Sequence, residues 1–341
     1  MENLFYRSST RVLTSRGMIT FDEVNENDDL FYINCDGELS KTDNFHLLKV
    51  VSSEINYISG KHLNVEYTGN FTSYKNESRL EEFNMNRPFN LKIANLYDYE
   101  KKEFDKDSTN ILIDLNGKTY GVSNIKGLIF SYILESFYTL KEETFTQNKT
   151  IDSHLLYSIL NGFKEYTDLW VRMNSKDIIY TNKSSYVAER YCLENSKITK
   201  YFLKNLDYLQ DFLDTLIDIH IIKSFSEGKY EMYFGKYKLA VDFQALISLL
   251  GYKTLLKYNN VKNVFVILFF NLTNSLTTKP LKSENLSLIH EEEFYNIYVF
   301  NETPVKLITQ CTNNRQESCI YYGVSAIKDE DTSYNLLGDD E

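Results

Sequence analysis

The period of the hydrophobic pattern changes twice along the chain, and that change constrains the fold more than any single residue does. From Leu4 to about Gly117, short β-type runs alternate with turn signals: TRVLTSRGMITFDEV, DDLFYINCDGEL, FHLLKVV, KHLNVEYTG, FNLKIANLY and NILIDLNGKTYG. Arg16-Gly17, Asp36-Gly37 and Asn116-Gly117 stand where hairpins would turn, because glycine tolerates the positive φ that tight turns need. Between Val122 and Phe270 apolar residues recur at helical spacing instead. Ile125, Leu128, Ile129, Tyr132 and Ser136 share one face of NIKGLIFSYILESFYTL, and IDSHLLYSILNGF predicts a helix capped by Asp152 or Ser153 and ended by Gly162. Two strand-like runs follow, DLWVRMN and KDIIYTN. LDYLQDFLDTLIDIHII then predicts a second long helix, and KSFSEGKYEMYFG a hairpin turning at Glu227-Gly228. KYKLAVDFQALISLLG is a third helix stopped by Gly251, and YKTLLKYNNVKNVFVILFF a hairpin around Asn259-Asn260. From Asn271 the β-type runs return, and KDEDTSYNLLGDDE reads as a solvated acidic tail.

Helix, two strands, helix, two strands is the order in the second half of the middle region, with a weaker copy before it. An approximate internal repeat of α/β units follows. The expected fold class is therefore α+β. A β-rich domain, residues 1–120 and 271–341, is interrupted by a two-fold-repeated α/β insert at 121–270, and 341 residues suffice for both cores.

Charge and composition narrow the partners. A net charge of −11 argues against a dominant polyanion partner, since phosphate binding relies on clustered Lys and Arg. Tyr 27 and Phe 22 against Trp 1 and Pro 3 is a skew that an AT-rich genome favours, which points to a virus or mobile element. Cys35, Cys192, Cys311 and Cys319 lack zinc-ligand spacing, so they read as reduced thiols of an intracellular protein, in host cytoplasm or virion. MENLFYRSSTRVLTSRG has no apolar core of signal-peptide length, and VKNVFVILFFNL is too short to span a bilayer as a helix, so no membrane is expected. Glu291-Glu292-Glu293 reads as a charged turn between strands.

An α/β insert inside an all-β unit, with LDTLIDIHI opening its second half, resembles the inteins and intein-derived homing endonucleases. In that family a horseshoe-shaped β domain, the Hint fold, carries out protein splicing, and a LAGLIDADG endonuclease is inserted into it. The resemblance implies a splicing nucleophile at the head of SSTRVLTSRGMITFDEV, and the family spacing back from Thr10 puts it at Phe5. It implies a Thr-x-x-His in LNVEYTGNF, where Thr68 fits and the His position is Phe71. NIYVFNETPVKLIT resembles the late strand block, yet no His-Asn pair exists anywhere in the sequence. The two LAGLIDADG helices would each deliver a carboxylate to Mg²⁺, which demands hard oxygen ligands for phosphodiester cleavage. Register on KGLIFSYIL leaves Tyr132 at the first acid, and register on LDTLIDIHI leaves His220 at the second. A lone His in an apolar helix reads as a core or interface residue, and Asp218 as structural near the helix end.

No catalytic residue, metal or cofactor is expected, and Phe5, Phe71, Tyr132 and His220 are degenerate positions. The saddle of the family places Lys223, Lys229, Lys236, Lys238, Lys253, Lys257 and Lys262 as DNA-facing candidates. The first functional expectation is a non-enzymatic binding or structural component, plausible for a virus, with protein partners in a larger assembly. The alternative is a sequence-specific double-stranded DNA-binding protein that uses the saddle without cutting. An active Mg²⁺-dependent homing endonuclease ranks last.

Overall fold

The computed structural model describes residues 4–34, 37–59, 64–69, 111–115, 118–122, 124–141, 144–147, 151–166, 171–173, 178–181, 197–226, 228–270, 282–300, 305–312 and 317–326. The first strands are β1 (Phe5–Arg7), β2 (Arg11–Thr14), β3 (Gly17–Thr20), β4 (Leu30–Ile33), β5 (Leu39–Thr42), β6 (Phe45–Ser59) and β7 (Asn64–Thr68). The hairpin β8 (Ile111–Leu115) and β9 (Lys118–Val122) leads into α1 (Asn124–Phe137), β10 (Tyr138–Lys141), β11 (Thr144–Gln147), α2 (Ser153–Tyr166), β12 (Val171–Met173) and β13 (Ile178–Thr181). After α3 (Lys197–Lys204) come α4 (Asp207–Asp218), β14 (Lys223–Ser226), β15 (Lys229–Phe234), α5 (Tyr237–Leu249), β16 (Lys253–Asn259) and β17 (Val264–Phe270). β18 (Lys282–Val299), β19 (Lys306–Thr312) and β20 (Ser318–Val324) close the order. The chain divides into two compact units: Met1–Leu96 with Ile247–Leu255 and Asn271–Glu341, and Tyr97–Leu246 with Leu256–Phe270.

The first unit is built on strands. β1, β18, β6 and β7 pair in a closed ring, in which β6 and β18 form the longest ladder, from Phe45 opposite Val299 to Ser59 opposite Lys282. A second sheet runs β20-β19-β2-β4-β5, with β3 paired to β2. Its turns fall at the expected glycines: Gly17 at φ +87° and Gly37 at φ +79° occupy the left-handed region that L side chains avoid. Val12, Phe21, Leu30, Tyr32, Ile297, Leu307 and Tyr321 fill one core, in which Tyr6 stacks on Phe21 at 5.6 Å. Asp28, almost wholly buried, receives both arms of the half-exposed Arg16 guanidinium, with Nη2 at 2.6 Å from Oδ2, and the Asn25 N–H at 3.0 Å. Glu291-Glu292-Glu293, expected as a turn, lies instead within β18, with Glu291 inside an irregularity in register between Ser287 and Glu292 and the ladder resuming at Glu292. Partners distant in sequence hold it there, since Glu292 takes Arg7 at 2.8 Å and Glu293 takes Lys49, and the nearby Tyr295 hydroxyl also donates to Glu293.

The stretch from α1 to β17 repeats itself. α1-β10-β11-α2-β12-β13 is followed, past α3, by α4-β14-β15-α5-β16-β17. The first four strands order as β10-β11-β13-β12 and the second as β14-β15-β17-β16, the same arrangement twice. The Asp152 carboxylate caps α2 by accepting the N–H groups of His154 at 2.7 Å and Leu155 at 3.2 Å. These bonds to the charged form hold its pKa below the ordinary carboxylate value. α2 does not end at Gly162 but continues to Tyr166. A Cβ at Gly162 would stand 2.7 Å from the Ile219 carbonyl oxygen, so this glycine serves close packing and not helix termination. Gly251 does stop α5, at φ +88°, with its N–H on the Ser248 carbonyl at 2.9 Å.

Candidate functional site

In the first unit, β1 sets Phe5 directly opposite Thr68 of β7, so two of the positions marked by the sequence resemblance meet. Phe5 is buried and packs with Leu48, Ile55, Phe294 and Ala326. A benzyl group has no lone pair with which to attack a carbonyl. Thr68, also buried, donates its hydroxyl to Ser52 Oγ at 2.9 Å. Ala326 is tied in by its N–H on the Ile297 carbonyl at 2.8 Å. Asn296 Nδ2 donates to the carbonyls of Leu4 and Val324, and the Val324 N–H reaches Tyr6 Oη at 2.6 Å. The backbone on both sides of this centre is thus held by fully bonded polar groups while its middle is apolar. Phe71 lies outside the described residues.

In the second unit the two positions expected to carry acids are not equivalent. Tyr132 lies five residues before the end of α1, fully buried, with Phe137, Phe212 and Phe234 presenting edges to it at centroid distances of 6.0, 6.2 and 5.5 Å. Phe243 closes the cage. Its hydroxyl donates to the Tyr233 carbonyl. Desolvation, with a smaller contribution from Tyr233, pushes the phenol far above its ordinary pKa, so it stays a neutral donor. His220 is exposed and follows the end of α4 at φ +60°. Its N–H bonds the Ile217 carbonyl, and the N–H groups of Ile221 and Ile222 both wrap back to the Leu216 carbonyl, at 2.9 and 3.0 Å. His220 is therefore the left-handed residue that ends the helix, and the expectation of a core histidine is corrected. The reason is backbone geometry: the chain must reverse here for Ile221 and Ile222 to enter the core. Asp218, the last residue of α4, is exposed.

Tyr233 is the hub that sequence reasoning missed. Its own hydroxyl donates to the buried Glu231 carboxylate, two residues before it on the same face of β15. Lys262 Nζ donates to that hydroxyl at 3.1 Å and stands 4.6 Å from the ring centroid, with Lys223 Nζ at 5.7 Å. Burial, then the bond to Glu231, raises the phenol well above its ordinary pKa. A phenol so held is a poor base and a poor nucleophile. The i, i+2 spacing of Glu231 and Tyr233 was available in the sequence, but Lys262 arrives from another strand pair.

The remaining candidate lysines are spread over several elements. Lys229 opens β15 and Lys236 follows it, both exposed. Desolvation of the Lys236 ammonium outweighs the pull of Glu135 and holds its pKa below the lysine value. Lys238 pairs with the buried Asp242 at 2.7 Å, and Lys253 and Lys257 are half-buried on β16. Among the described residues no three His, Cys, Asp or Glu side chains converge as a metal set, and no helix is long and apolar enough to cross a membrane.

No family model matches this sequence, and no curated protein matches it. Among solved structures, the chain is similar to a splice-inactive, GSH-linked variant of the AceL NrdHF class 3 split intein. The superposition covers 94% of this chain and 99% of that one, at 9% identity and a TM-score of 0.28. A structural neighbour is thus a split intein, a protein of Hint-like fold. Among the described residues strand exceeds helix.

Proposed function

We propose that the chain is a catalytically inactive scaffold of intein and homing-endonuclease type, used as a non-enzymatic binding or assembly component of a virus or similar replicon. One observation carries this reading: the three described positions where such a scaffold would hold a nucleophile or an acid are occupied for packing or for turn geometry. Phe5 fills an apolar centre, Tyr132 seals an aromatic cage, and His220 ends a helix. The LAGLIDADG character of the second unit rests on its two αββαββ halves of equal strand order and on the Tyr132–Phe212 contact between α1 and α4. The double-stranded DNA reading is weaker, because Lys238 is neutralised by Asp242, and Lys223 and Lys262 converge on Tyr233.

The full chain incubated with supercoiled plasmid and Mg²⁺ or Mn²⁺ should leave it uncut. A duplex titration should show no affinity that climbs steeply as salt falls. Nicking that disappears in Asp218→Asn would overturn the reading. Tight, salt-sensitive duplex binding would replace the assembly role with a DNA-binding one. Protein recovered from its native source should migrate within a larger assembly.

A further inference from the structure

β19 and β20 pair antiparallel with Cys311 directly opposite Cys319, and their sulfurs lie 3.6 Å apart. Both thiols are free and buried, Cys319 completely and Cys311 at 6% exposure. We propose that this cross-strand pair is an oxidation site, at which a hydroperoxide converts two core thiols into a reversible disulfide across the β19–β20 ladder.

The geometry asks for little movement. A disulfide needs sulfurs about 2.05 Å apart and Cβ atoms about 3.5–4.5 Å apart. Directly opposed residues of an antiparallel pair already hold their Cβ atoms about 4.5–5.5 Å apart. Rotation about each Cα–Cβ bond and a slight local contraction close the gap. Access is also built in. The next rung, Thr312 opposite Ser318 with hydroxyls 2.9 Å apart, is the last of the ladder, and Thr312 is exposed. The thiols thus lie one rung in from the end of the ladder, where local opening costs least.

The order of events follows from the burial. Cys319 is held protonated by its hydrogen bond to Cys311 and by desolvation, so Cys311 meets the oxidant first. Cys311 gives up its proton to solvent, its sulfur attacks one oxygen of the hydroperoxide, the O–O bond breaks, and Cys311 becomes a sulfenic acid as the departing hydroxide or alkoxide takes up a proton. The Cys319 sulfur then attacks the sulfenic sulfur, the S–O bond breaks, and the Cys319 proton departs with the hydroxyl as water. Two thiols are oxidised by two electrons and one peroxide is reduced.

The test treats the folded full chain with hydrogen peroxide at neutral pH, then alkylates it and maps its peptides without reduction. The result expected is a Cys311–Cys319 cross-linked peptide that a dithiol reductant reverses. It should persist in a Cys35→Ser/Cys192→Ser variant and raise Tm by about 5 °C over the reduced protein. Over-oxidation of Cys311 with no cross-link would overturn the proposal. So would cross-links confined to Cys35 or Cys192, or thiols that react only above the unfolding temperature. Because the decisive reading is made on the unsubstituted protein, misfolding of a cysteine variant cannot mimic failure.

Discussion

The proposed LAGLIDADG-type register would match Tyr132 with His220, yet one is sealed in the core and the other faces water. α1 runs five residues past Tyr132, while α4 stops two residues short of His220. A carboxylate at such a place must remain near solvent or a cation, because desolvating it without a partner is costly. Tyrosine is freed from that demand provided its hydroxyl finds an acceptor, which the Tyr233 carbonyl supplies. Histidine at 220 instead accepts a positive φ, which relatively few residues other than glycine tolerate. The two positions thus serve structure in different ways, one as part of the core and the other as a turn.

That contrast can be broken by mutation. Tyr132→Ala empties the aromatic cage and should cost about 3–5 kcal/mol in denaturant unfolding, with an unchanged m-value. A loss below about 1 kcal/mol would mean that the cage collapses readily and that Tyr132 is not a core anchor. Gly162→Ala tests the packing beside the His220 turn. Its new methyl must displace the Ile219 carbonyl at 2.7 Å, with an expected loss of about 1–3 kcal/mol. A neutral result would show that α4 can shift freely. Asp152→Ala should destabilise α2, and the deficit should depend on pH. A depressed carboxylate stabilises above its unfolded pKa, and that contribution disappears as the pH falls through the depressed folded value. Wild-type and variant stabilities should therefore converge under acid, and a gap that stays constant would assign the effect to packing. His220→Gly has the smallest effect and the opposite sign. Relief of about 1–2 kcal/mol of left-handed strain, less about 0.4–1 kcal/mol of added chain entropy, predicts a gain of about 0.5–1 kcal/mol.

Local signals in the sequence were legible where local geometry decides. Gly17, Gly37 and Gly228 turn hairpins, Asp152 caps α2, Gly251 stops α5, and Leu128, Ile129 and Tyr132 share the buried face of α1. What escaped depends on partners far along the chain. Gly162 looks like a helix stop until the Ile219 carbonyl is seen against it. Glu292 and Glu293 look like a turn until Arg7 and Lys49 are found beside them. The Glu231–Tyr233–Lys262 chain needs a turn residue 29 positions from Tyr233. Similarly, the apolar centre around Phe5 draws on Leu48, Ile55, Phe294 and Ala326, which no spacing rule connects. The short helix α3 spans only eight residues, too few for helical spacing to stand out.

On the proposed function, positions 132 and 220 serve structure where a LAGLIDADG-type scaffold would hold acids, and they do so by different means. Equilibrium unfolding of Tyr132→Asp beside His220→Asp tests it most directly. The account predicts that Tyr132→Asp loses about 3 kcal/mol or more at neutral pH, or fails to fold, and recovers in part as the carboxyl is protonated. It predicts that His220→Asp stays within about 0.5 kcal/mol of the parent, as an exposed turn allows. Equal tolerance of aspartate at both positions would contradict it, since a site that still accepts an acid at Tyr132 has not been taken over by the core.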